Sequence, residues 1–207
     1  IFPAMSKFYK KSDVLLRVLF EKSFYYLLLL ALPLGIGTTL LADRIILFVY
    51  KQNFINSVAV LQILIWALVF IFVNYLMGYL LNSIDKQKLF TLTTGLSAAL
   101  NIILNFILIP KYSFIGAAAA TVASEFLNFI MFFYFTSKSG FHLNLFKMIL
   151  KPLIASILMG LFILYFRKFH LLLLVPSSIA LYFLLLFLIG GISSDDKKLF
   201  LSMIKLR

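Results

Sequence analysis

Glu125 is the residue whose chemistry most needs explaining, because it sits in an otherwise uncharged stretch, 114–136. A carboxylate near the centre of a lipid-buried helix costs on the order of 3 kcal/mol, so it is protonated, paired or turned toward water. Other polar residues accompany it at helical spacing. Thr121, Glu125 and Asn128 recur at i, i+4 and i+7, while Thr94, Ser97, Asn101 and Asn105 fall at i, i+3, i+7 and i+11. Asn74, Gly78 and Asn82 repeat at i, i+4 and i+8. Each set lies along one helix face. Two uses fit such stripes: lining a hydrated transport cavity, or interhelical hydrogen bonding that holds a bundle together with no solute. For Glu125 the alternatives are a proton or cation site and a structural partner for Asn101 or Asn105.

Other chemistry lacks its parts. Candidate nucleophiles such as Ser83 and Ser178 have no His–carboxylate partners at readable positions, and there is no glycine-rich phosphate loop. The two histidines, His142 and His170, lie at different predicted membrane edges, and cysteine is absent. The expectation is no enzyme, no metal site and no cofactor.

The elements that carry the stripes must be membrane spans. Apolar residues make up 63% of the chain and charged residues 13%, with 24 phenylalanines. Soluble domains run nearer 45–50% apolar and about 25% charged. Six stretches approach the roughly 20 apolar residues that a crossing needs: 24–42, 54–84, 89–109, 114–136, 148–166 and 171–192. Lipid cannot satisfy open backbone groups, and the alternation of a barrel is missing, so all are expected to be helical. The fold class is therefore all-α, a polytopic transmembrane bundle of about six spans. Pro152 is expected in the first turn of the fifth helix and Pro176 near the start of the sixth, where a missing N–H matters least. Pro33, followed by Gly35 and Gly37, predicts a kink in the first span and a candidate hinge.

Charge orients the bundle. Fourteen of the 19 Lys and Arg fall in segments 1–22, 85–88, 137–151 and the tail; only Arg44, Lys51, Lys111, Arg167 and Lys168 fall on the other side. The net charge of +12 then reads as topology and anionic-lipid contact, with no nucleic-acid partner. Both termini are expected in the cytoplasm of a multi-pass cytoplasmic-membrane protein. The start, without initiator Met or signal peptide, reads as a cut through a longer protein. Residues 4–22 interleave Met5, Phe8, Val14, Leu15, Val18 and Leu19 with lysines. That pattern suits an amphipathic helix on the leaflet, or equally a linker helix packed on the bundle. At the far end of the first span, Asp43 and Arg44 read as a snorkelling interfacial pair or as contacts for a charged head group. Gly116, Ala120 and Ser124 at i, i+4 and i+8 allow close backbone approach.

The stretch NIILNFILIPKYSFIGAAAATVASE (residues 101–125) resembles the "N..LN..LIP.YG..GAA.AT..SE" signature of polysaccharide biosynthesis proteins. These are the oligosaccharide (O-antigen-type) flippases of the multidrug/oligosaccharidyl-lipid/polysaccharide exporter superfamily, which is MATE-like. IFPAMSK (1–7) and ALPLGIG (31–37) are similar to two further family elements, and Ser113 departs from a glycine that the family often has. The similarity covers roughly residues 1–140. It implies a cytoplasmic linker over 1–22, a four-span core of the C-terminal lobe over 23–140, and a terminal two-span hairpin with tail over 141–207. It also implies flipping of a polyprenyl-linked oligosaccharide by two rocking lobes, with the missing N-terminal lobe and membrane lipids as partners. A multidrug or cation antiporter, a peptidoglycan-precursor flippase and a non-transporting scaffold are the rival readings.

Overall fold

The computed structural model describes residues 2–10 and 12–191; the basic tail with Lys197, Lys198, Lys205 and Arg207 lies outside the described residues. Among the described residues every element is helical: α1 (Phe2–Tyr9), α2 (Asp13–Tyr50), a 3-10 turn (Gln52–Phe54), α3 (Ser57–Ser83), α4 (Gln87–Lys138), α5 (Leu145–Tyr165) and α6 (Leu171–Leu188). Five of these, α2 to α6, are long and apolar enough to cross a membrane. The 52 residues of α4 would extend about 78 Å as one rod, more than twice the roughly 30 Å of a hydrocarbon core. Instead α4 reverses at Ser113, whose φ of 52° and ψ of −134° are non-helical. Ser97 and Asn101 on its first arm consequently reach Ser124 on its second. The third and fourth expected spans are the two arms of this hairpin, giving six helical passes.

Cross-chain contacts fix the directions. Arg17 reaches Gly140 and Asp43 reaches Arg167, pairs separated by 123 and 124 positions. A nearly constant offset along two helices means that they run parallel, so α2 and α5 point the same way. Asn74–Glu125 and Lys86–Ser139, at offsets of 51 and 53, make α3 and the second arm of α4 parallel. Tyr25–Gly191 and Leu29–Tyr182 make α6 antiparallel to α2. The passes alternate, as the charge pattern requires.

Two apolar clusters organise the packing. One gathers Met5, Phe20, Phe24, Met77, Leu80, Phe132 and Phe141 from α1, α2, α3, the second arm of α4 and the loop after it. The other gathers Leu29, Leu41, Ala155, Met159, Leu174, Tyr182 and Leu186 from α2, α5 and α6. Helix α2 is common to both.

Several expectations need adjusting. Residues 13–22 belong to α2 and do not continue α1: the chain breaks after α1, and the Ser12 side chain caps α2 by accepting from the Leu15 N–H. Met5, Leu16 and Phe20 are buried in the first cluster, whereas Val14, Leu15 and Val18 are exposed. The packed-linker reading therefore holds for one face of this segment and leaves the other facing outward. Helix α5 begins at Leu145, capped by the Asn144 side chain on the Lys147 N–H. Pro152 is thus in the helix interior, and not in the first turn, because that cap starts the helix earlier than the apolar run does. Asp43 pairs with Arg167 at 2.7 Å, and Arg44 donates to the Arg167 carbonyl. The two neighbours thus tie α2 to the end of α5 and do not pair with each other.

Candidate functional site

The polar stripes meet where α3 and both arms of α4 pack. The approach of the two arms depends on Gly116. A Cβ there would sit 2.4 Å from the Leu108 carbonyl oxygen, so only glycine admits the contact. With Ala120 and Ser124 also buried, the arms run close enough for short polar side chains to bridge them. Ser97 Oγ donates to the Ser124 carbonyl at 2.6 Å, and Asn101 Nδ2 donates to Ser124 Oγ at 3.0 Å. Asn105 Nδ2 donates to Asn101 Oδ1 at 2.9 Å, and Ser124 Oγ donates back to the Thr121 carbonyl at 2.9 Å. Thr121 bonds the Ala117 carbonyl within its own helix.

Glu125 is met from α3. Asn74 Nδ2 donates both to the Glu125 main-chain carbonyl at 3.0 Å and to its carboxylate Oε2 at 2.9 Å. The partner of the carboxylate is therefore Asn74, and neither Asn101 nor Asn105, because Glu125 lies on the side of the arm facing α3 while Ser124 faces the first arm. Three amide oxygens remain buried without a donor: Asn74 Oδ1, Asn105 Oδ1 and Asn128 Oδ1. A buried acceptor left unmet costs about 1–3 kcal/mol. Amide and carboxylate oxygens together are a hard donor set, suited to a proton or a hard cation.

Of the residues singled out from the sequence, Ser97, Asn101 and Asn105 come together around Ser124 between the two arms, and Asn74 and Glu125 meet between α3 and the second arm. Thr121 bonds within its own helix, and Asn128 lies one turn beyond Glu125. The two sets border one polar seam on the second arm. Asn82 does not join them. It sits two turns from Asn74 at the end of α3, where its carbonyl accepts from Gln87. Ser124, at the centre of the seam, was legible only as a small residue of the packing stripe.

The hinge candidates serve a second site. Helix α2 runs on through Pro33, whose missing N–H leaves the Leu29 carbonyl without its intrahelical donor. The hydroxyl of Tyr182, reaching over from α6, fills the gap at 2.7 Å. A Cβ at Gly35 would lie 3.1 Å from Val69, so that glycine serves α2–α3 contact, and Gly37 faces Met159 of α5. Between α2, α5 and α6 lies an apolar groove of about 250 Å³ lined by residues including Leu30, Pro33, Gly37, Met159, Val175 and Ile179.

These features define a multi-pass helical membrane protein with a polar seam where α3 and both arms of α4 pack. Sequence and fold comparisons place it further. The Lipid II flippase MurJ family matches residues 1–185. An uncharacterised membrane protein of Methanocaldococcus jannaschii is 30% identical over 163 residues, 78% of this chain and 31% of that protein. A probable low-salt glycan biosynthesis flippase, Agl15 of Haloferax volcanii, is 29% identical over 138 residues, 66% of this chain and 29% of that one. A solved structure of the lipid II flippase MurJ in an inward closed conformation superposes with a TM-score of 0.76 at 21% identity, over 87% of this chain and 40% of that one. The chain belongs to the Lipid II flippase MurJ family, and its helices share the fold of that structure. It spans about a third of the length of the curated relatives that it matches.

Proposed function

We propose that this chain is the C-terminal six-span part of a flippase that carries a polyprenyl-linked oligosaccharide across the cytoplasmic membrane, with the basic end of the bundle in the cytoplasm. The observation that carries this reading is the seam of buried Asn74 and Ser97 with half-buried Asn101, Asn105, Thr121 and Glu125, inside a member of a lipid-linked flippase family. A flippase must shelter a hydrated glycan and its phosphates from hydrocarbon while the lipid tail stays in the bilayer. The seam supplies polar groups at membrane depth, and the α2–α5–α6 groove supplies an apolar surface for a tail. Lys and Arg lie almost wholly outside the spans, so the cations for a pyrophosphate are assigned to the N-terminal lobe.

The oligosaccharide reading is favoured by the Haloferax volcanii relative, named for glycan biosynthesis. The second reading, a peptidoglycan precursor as cargo, is favoured by the family match. Reconstituting the full-length protein in vesicles with either lipid-linked cargo and scoring its arrival at the opposite leaflet separates the two. Movement of neither cargo refutes both.

Glu125 is proposed as the coupling group, through its protonation or cation binding. Glu125→Gln keeps the shape and removes the charge, and is expected to lower flipping about tenfold or more. Unchanged flipping takes Glu125 out of the mechanism.

A further inference from the structure

The basic end of the bundle holds a second polar concavity that neither the seam nor the groove uses. It encloses about 180 Å³ and is lined by Tyr9, Asp13, Arg17, Lys86, Ser139 and Phe141, among others. Three separate segments build it: the α1–α2 junction, the turn after α3 and the turn after α4. Its two cations are held by the neighbouring turn, Arg17 Nη2 donating to the Gly140 carbonyl at 3.0 Å and Lys86 Nζ to Ser139 Oγ at 2.7 Å. Among the described residues neither lies within salt-bridge distance of a carboxylate. Each keeps further N–H donors for another acceptor.

We infer that this pocket binds the phosphate of an anionic phospholipid head group. Depth is the first argument. Arg17 precedes the uncharged stretch that begins at Phe24 by seven residues, or about 10 Å of helix, and Lys86 follows shortly after α3 ends at Ser83. The head-group layer adds about 5–8 Å to each side of the hydrocarbon core, so Lys86 falls within it and Arg17 just beyond it, close enough for its long side chain to reach back in. Basic pockets between helices at this level are suited to lipid phosphates. Charge is the second argument. Arg17 and Lys86 against Asp13 leave one net positive charge, which matches a singly charged phosphodiester and under-compensates a pyrophosphate. The site is thus assigned to a membrane phospholipid and not to a cargo pyrophosphate. The assignment does not depend on which cargo the protein carries, so its test is independent of the flipping assay.

The test is native mass spectrometry of the full-length protein in detergent, titrated separately with phosphatidylglycerol, phosphatidylcholine and a polyprenyl pyrophosphate. Phosphatidylglycerol is expected to bind saturably and about tenfold more tightly than phosphatidylcholine. Its affinity is expected to fall about thirtyfold in Arg17→Gln/Lys86→Gln and about fivefold in Lys86→Gln alone, the milder change guarding against a misfolded double variant. Arg17→Lys/Lys86→Arg is expected to keep most of the binding, and Asp13→Asn to strengthen it a few-fold. Equal binding of phosphatidylcholine, or phosphatidylglycerol binding unchanged in both glutamine variants, overturns the proposal. So does a polyprenyl pyrophosphate that binds more tightly than phosphatidylglycerol and is lost in the same variants.

Discussion

The α3–α4 side of the bundle and the α2–α5–α6 side solve the same problem, joining helices in a solvent that gives apolar surfaces no reason to associate, by different means. On the first side the glue is side chain to side chain and side chain to carbonyl, from Ser97, Asn101, Asn105, Ser124, Asn74 and Glu125. On the second, within the spans, it is single hydroxyls and an amine reaching backbone carbonyls, Tyr182 to Leu29, Tyr25 to Gly191 and Lys151 to Gly190, with the Asp43–Arg167 ion pair and Arg44 joining α2 to α5 at the far end. Hydrogen bonds between membrane helices average about 0.6 kcal/mol, with a maximum near 1.7, so neither set works without close packing. The lesson is that the polar seam depends on backbone proximity, whereas the apolar side depends on a defect in α2 that an outside donor repairs.

The largest effect expected from breaking the comparison is at Gly116. Gly116→Val forces a side chain into the Leu108 carbonyl and is expected to cost about 3 kcal/mol or more, seen as loss of folded protein or a sharply lowered melting temperature in detergent. Next is the repaired defect. Tyr182→Phe is expected to destabilise by about 1–2 kcal/mol by orphaning the Leu29 carbonyl. In a Pro33→Ala background, where the backbone N–H of residue 33 can serve that carbonyl, the same change is expected to be nearly neutral. A double-mutant cycle on thermal unfolding reads the coupling; additive losses show that the hydroxyl does not act through the proline gap. The smallest effect sharpens the seam: Ser113 holds a positive φ that glycine adopts freely, so Ser113→Gly is expected to stabilise the hairpin by about 1 kcal/mol.

Much of this was legible beforehand, for reasons that follow from the solvent. Lipid makes polar residues rare, so those in the spans stand out and their phase gives the helix face; Ser97, Asn101 and Asn105 do turn toward the second arm of α4, and Asn74 toward Glu125. The turn at Ser113 was marked by flanking apolar runs and by Pro110. What phase could not give is which stripe faces which. Asn101 and Asn105 are nearer Glu125 in sequence, yet Asn74 is its partner because helices choose neighbours by packing and not by sequence separation. Asn82 shares a face with Asn74 but lies too near the end of α3 to reach the seam. The Tyr182 contact had no signature, since its acceptor is a main-chain oxygen and tyrosine is common in these spans. The start of α2 was hidden because a serine cap among lysines looks like any polar linker.

The order of the seam's parts along the chain bears on biogenesis. Asn74 leaves the ribosome before Glu125, so the amide that steadies the carboxylate is already in the bilayer when the acid arrives. Ser97 and Asn101 likewise precede Ser124 within a single helical hairpin, which can enter the membrane as one unit with its polar groups turned inward. The costliest group is thus synthesised after its partner, and no stage of insertion needs to leave Glu125 waiting alone in hydrocarbon.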